Sequence, residues 1–217
     1  MKPIKNILIF TNTLEKGGAE VQALALSKVL QEQYKVYLLV FYGKQIHPEL
    51  LASARRAHIE LIFLSGHKLK NIFDFVGIIK KYRIDCIYSF LATTNVYAGI
   101  IGKLCRVPYL LGGIRSSRYK GMKMYIQRFV HNHCMSLSIS NNYNGKKFLV
   151  KAGFKADKIQ VIHNAFVPKD TSLNKLPHEI PLIVSVGRFV PEKDYDTALE
   201  AIHFFRTQHP ELSFRYR

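Results

Sequence analysis

Apolar, β-branched runs recur at regular intervals along the chain, at 6–10, 36–41, 60–64, 85–90, 109–114, 135–139 and 160–162. Runs this short, most of them apolar at successive positions, predict strands that are for the most part buried on both faces. Between them lie helical patterns. Ile72, Phe75, Val76 and Ile79 follow the i, i+3, i+4, i+7 spacing of a helix with one apolar stripe, and so do Met122, Tyr125, Ile126, Phe129 and Val130. Strand and helix alternate, which predicts an α/β fold built on a doubly wound parallel sheet. At 166–180 the alternation lapses into a polar segment carrying Pro168 and Pro177, the composition of a linker. The chain therefore reads as a Rossmann-like domain at 1–165, a linker at 166–180 and the opening of a second domain at 181–217. That last piece holds one strand, a helix over 194–208 and a final apolar run. Pieces below about 40 residues seldom fold alone, so it is expected to dock on the first domain or to belong to a longer natural protein.

Composition adds little to this picture until charge is considered. The chain is 48% hydrophobic, enough for a full core, and its apolar runs fall short of the roughly 20 residues that span a bilayer. The basic start at 1–10 has too short an apolar stretch for a signal peptide and is read as a first strand. Three cysteines at unrelated spacings favour free thiols in a reducing cytoplasm. The net charge, however, is +17, and no acidic residue occurs from Cys86 to Ala156. Such a surface attracts phosphates, on nucleic acid, anionic lipid or a diphosphate-linked substrate.

Two turns carry candidate chemistry. The loop after the first strand contains Gly17 and Gly18 just before a helix, at the strand end where open sheets bind ligands. Near the C-terminus an apolar strand runs into Gly187 and Arg188, with Lys193 five residues on and a helix beyond, an arrangement suited to a diphosphate. With the segments Gly17-Gly18-Ala19-Glu20, 158–165 and 186–196 in this order and spacing, the sequence resembles the retaining glycosyltransferases of the glycosyltransferase group 1 family, of GT-B fold. The resemblance implies transfer of a hexosyl group from a nucleotide diphosphate sugar to an acceptor hydroxyl, with retention and without a metal or other cofactor. It casts Arg188 and Lys193 as the cations that meet charge growing on the departing diphosphate. It makes Gly17 and Gly18 backbone donors to the same group. It also places Asn164 at the hinge side of the cleft, and Arg115 where many members have a donor-contacting histidine. The family's later pair of glutamates would fall beyond Arg217, so this chain by itself is expected to be weakly active at best.

Other features have plainer readings. Asp194-Tyr195-Asp196 has the form of a metal-binding D-x-D but opens a helix, where Asp194 suits the N-cap and Asp196 the first turn. His131, His133 and Cys134 lack a complementary ligand pair, so no metal site is expected. The basic stretch is in part a solvated face whose helices bury their apolar stripe. In part it is a candidate contact with an anionic membrane or the acceptor, through Arg118, Lys120, Lys123 and Arg128. It carries no nucleic-acid-binding motif. The expected setting is the cytoplasmic face of a bacterial membrane, with a glycan or lipid-linked acceptor in surface polysaccharide assembly. The rival reading is a non-catalytic Rossmann-like module that holds anionic or phosphorylated partners on its basic face.

Overall fold

A computed structural model describes residues 3–65, 68–115, 121–165, 180–187 and 189–216. The chain divides into two compact units, Met1–Phe166 and Val167–Arg217. The linker expected at 166–180 lies almost wholly outside the described residues.

The first unit is built on β1 (Asn6–Thr11), β2 (Lys35–Val40), β3 (Glu60–Phe63), β4 (Cys86–Ser89), β5 (Tyr109–Ile114), β6 (Leu137–Ser140) and β7 (Ile159–Val161). Their order in the sheet is β3-β2-β1-β4-β5-β6-β7 and every neighbouring pair is parallel. The connecting helices are α1 (Gly18–Leu30), α2 (Pro48–Arg56), α3 (Lys68–Lys81), α4 (Ala92–Leu104), α5 (Met122–His133) and α6 (Tyr143–Lys151). Alternation along β1 sends Ile7 and Ile9 to one core, with Ala23 and Leu24 of α1 and Ala54 of α2. Leu8 and Phe10 enter the other core, with Phe75 and Ile79 of α3, Ala98 and Ile101 of α4 and Val130 of α5. This is the doubly wound sheet the pattern predicts. The order reverses between β1 and β4, the position where such sheets open a crevice at their strand ends. α4 lies close on its neighbours. A Cβ at Gly99 would stand 2.5 Å from a Val130 methyl, and one at Gly102 would stand 2.6 Å from a Leu110 methyl.

Three local expectations change. The stripe of α5 does not enter the core: Met122, Tyr125, Ile126 and Phe129 are 73%, 59%, 42% and 57% exposed, and of the five stripe positions only Val130 is buried. The inner face is instead polar and paired. Gln127 Nε2 donates to the Ala92 carbonyl at 2.8 Å, and the His131 ring lies between Ser138 Oγ at 2.7 Å and the Lys155 carbonyl at 3.1 Å. β6 starts two residues later than its apolar run because Met135 N–H is taken by the Val130 carbonyl at the end of α5.

The second unit holds β8 (Leu182–Ile183) parallel to β9 (Arg215–Tyr216), with α7 (Tyr195–Gln208) between them in sequence. Asp194 precedes α7 as expected, but in the left-handed conformation (φ 51°), and its side chain caps no backbone N–H. It accepts from Thr197 Oγ1 at 3.0 Å instead. Asp196 does occupy the first turn, where the helix dipole favours an anion.

Candidate functional site

The loop from β1 to α1 is organised by one side chain to which the sequence pattern gave no role of its own. Glu20, in the first turn of α1, is 8% exposed and folds back on its own helix start. Its Oε1 accepts from Thr13 Oγ1 at 3.0 Å, and its Oε2 lies where a Cβ on Gly17 would stand. The glycine leaves the room that the carboxylate packed against it occupies. Gly17 N–H already donates to the Glu15 carbonyl at 2.8 Å. Gly18 has open space on its side-chain side, and the N–H of a first helical residue has no partner inside its helix. Of the two glycines, Gly18 is the one left to offer a donor. At the end of β1, Thr11 Oγ1 and Asn12 Oδ1 are buried with no hydrogen-bond partner among the described residues.

Arg115 follows β5 directly and is half-buried. Its Nη1 donates to Asn164 Oδ1 at 2.8 Å, joining the ends of β5 and β7 across 49 positions of sequence. The guanidinium carbon sits 4.7 Å from the centre of the Phe90 ring, and Phe90 in turn packs on Tyr88 with centroids 4.5 Å apart. Burial pulls the Arg115 pKa below its ordinary value, while a hydrogen bond to Tyr88 and the charge of Glu20 oppose the shift. Burial pushes the Tyr88 phenol up, with Arg115 opposing. Just beyond Asn164, Gln22 of α1 pairs with the backbone of Ala165 in both directions, Nε2 to the carbonyl at 2.6 Å and N–H to Oε1 at 3.0 Å. The ends of β1, β4, β5 and β7 therefore converge on Glu20, Arg115 and Asn164.

The other expected residues lie apart from this cluster. Lys193 belongs to the second unit, exposed at the end of a short 3-10 turn, its stem beside Gly187. Arg188, Arg118 and Lys120 fall outside the described residues. On α5, Lys123 is exposed, and Arg128 stacks over Tyr125 and donates to the Ala152 carbonyl at 3.2 Å. Several cations of the basic stretch serve the backbone: Lys103 donates to the His133 carbonyl, Lys146 to that of Ile159, and Lys158 to those of Asn132 and Met135. Burial pushes the Cys86 thiol up to about 12, so it stays protonated. Among the described residues no three of His, Cys, Asp and Glu gather to hold a metal ion, and no helix is long and apolar enough to cross a membrane.

The seven-stranded parallel sheet with its helices is the Rossmann-like fold of a GT-B N-terminal domain. Within that class, the model of Glycosyltransferase Family 4 matches residues 16–169, and the chain belongs to that family. No curated protein matches it. Among solved structures it is similar to Anabaena Alr3699/HepE in complex with UDP-glucose, at 18% identity and a TM-score of 0.69, over 86% of this chain and 54% of that one. It is also similar to the apo form of the lipopolysaccharide outer core galactosyltransferase WaaB, at 15% identity and a TM-score of 0.60, over 85% and 53%. Acinetobacter baumannii MurG gives 16% identity and a TM-score of 0.56, over 83% and 50%. At such identities the likeness is one of fold. The chain spans about half the length of these structures.

Proposed function

We propose that the protein is a glycosyltransferase that moves a hexosyl group from a nucleotide diphosphate sugar to an acceptor hydroxyl, with retention at the anomeric carbon and without a metal. The observation that carries the reading is the meeting of Arg115 and Asn164, from the ends of β5 and β7, beside the Gly17-Gly18 turn of a family member. A polar cluster at the C-terminal edge of a parallel sheet, next to the strand reversal, is where this architecture takes nucleotides. The HepE neighbour's bound UDP-glucose supports a nucleotide sugar as the ligand. In this scheme Arg188 and Lys193 stabilise the leaving diphosphate, and Gly18, Arg115 and Asn164 hold the donor. The acceptor is a lipid-linked glycan of bacterial surface polysaccharide, met at the cytoplasmic face of the membrane. The exposed apolar stripe of α5, with Lys123 exposed on the same helix, supports that placement.

Calorimetry with UDP-glucose and other nucleotide sugars tests the proposal. At least one should bind, and Arg188→Ala and Lys193→Ala should each weaken binding or turnover by about tenfold or more with unchanged melting. If none binds, the enzymatic reading is wrong; if the variants behave as wild type, the roles of the two cations are.

A further inference from the structure

Arg115 is a half-buried cation with no anion in contact among the described residues. Its guanidinium has five N–H donors in a planar fork. Asn164 Oδ1 takes one, Tyr88 takes another, and Phe90 supports one face. Each of these partners is neutral, since burial keeps Tyr88 in its phenol form. Among the described residues no carboxylate stands within ion-pair distance of Arg115. Glu20 attracts it only from farther off, its Oε1 being held by Thr13. Removing a cation from water without pairing it is costly, and arginine's geometry matches carboxylate and phosphate oxygens better than any other ligand. The neutral supports also fix the fork in place before a ligand arrives, which lowers the ordering cost of binding.

We propose that Arg115 is the seat for an oxyanion of the substrate, a carboxylate on an acidic sugar or a phosphate oxygen of the donor, held by the N–H groups that Asn164 and Tyr88 leave unused. This rests on the reading above that the sheet edge binds a sugar nucleotide, and it adds what that edge selects. A role as a strut between the ends of β5 and β7 would need the bond to Asn164 but not the charge.

The test is a titration of the 217-residue chain, followed by amide NMR shifts at fixed ionic strength, with methyl glucuronide, inorganic pyrophosphate and methyl glucoside as probes. At least one of the two anions should bind wild type about tenfold more tightly than it binds Arg115→Met, with the neutral glucoside unaffected. Selective loss of the glucuronide assigns the seat to an acidic sugar; selective loss of pyrophosphate assigns it to the donor's phosphate. Arg115→Gln, which keeps a donor for Asn164, should lose the same anion and guards against a folding defect in the Met variant. Arg115→Lys should recover part of the affinity. Anion affinities equal in wild type and both neutral variants, or no anion binding by wild type, would overturn the proposal. A parallel titration with UDP-glucose separates the two levels. Binding that is unchanged by the variants, alongside unchanged anion affinities, removes the seat and leaves the donor reading standing, whereas a wild type that ignores every nucleotide sugar removes the donor reading itself.

Discussion

Two side chains in the first unit show how a single atom's partner sets a measurable property. Gly17 has φ −107°, which alanine adopts freely, so its backbone sets no bar to substitution. The bar is the Glu20 carboxylate, the far end of a flexible side chain. Gly17→Ala should therefore lower the melting temperature by only a few degrees while displacing Glu20 from Thr13, visible as a change in the Thr13 resonances; a severe loss of stability would mean the glycine is needed for the backbone itself. His131 works through its protons. The Lys155 carbonyl can only accept, so Nε2 carries the hydrogen, and Nδ1 accepts from the Ser138 hydroxyl. Burial, and next to it the neighbouring lysines Lys158 and Lys155, push its pKa below the ordinary 6.5, against the pull of the Lys155 carbonyl and Asp157. The unfolded chain then binds more protons than the folded one just below that value. Stability from this group is complete above pH 6.5 and is lost as pH falls toward the lowered native pKa. Urea unfolding at pH 7 and pH 5 should show the loss, and His131→Gln should flatten it.

At the scale of elements, α5 is the one whose surroundings decide its use. Four large apolar side chains in water on one helix, with cations beside them, favour a lipid surface. A side chain of this size gains on the order of 1.5 kcal/mol or more when fully buried, and each nearby Lys or Arg about 1 kcal/mol at anionic lipid. The pair Ile126→Ser and Phe129→Ser should reduce sedimentation with anionic vesicles while leaving thermal unfolding unchanged; equal recovery of wild type and variant would remove α5 as the contact. The same helix marks how far the sequence could be read. The strands of the first sheet were legible to within a residue or two: β1, β2 and β4 are buried on both faces, which leaves an unbroken apolar run, while the edge strands β3 and β7 keep apolar residues although part of each is exposed. The stripe of α5 was legible as a helix but not as an outward face, since periodicity finds a stripe without saying which way it turns. Gln127 and His131 are affordable inside only because Ala92, Ser138 and Lys155 meet them, and those pairings span up to 35 positions. The candidate site is a similar case. Gly17, Gly18, Arg115 and Asn164 stood out by residue type and place, whereas the bond between Arg115 and Asn164 and the fold-back of Glu20 arise only once the sheet brings the strand ends together.

For the whole molecule, charge and architecture answer different questions. The excess of 17 positive charges suits anionic partners in general, yet Lys103, Arg128, Lys146 and Lys158 spend theirs on backbone carbonyls at the ends of helices and strands. Net charge therefore overstates the basic face available to a ligand. The amide pair between Gln22 and Ala165 has a mechanical meaning as well. A pull on the polypeptide beyond residue 165 reaches Ala165 first, where those two bonds tie the backbone to α1 ahead of β7. The start of that helix, two residues from Glu20, is thus the point where a tug on the rest of the chain is first registered.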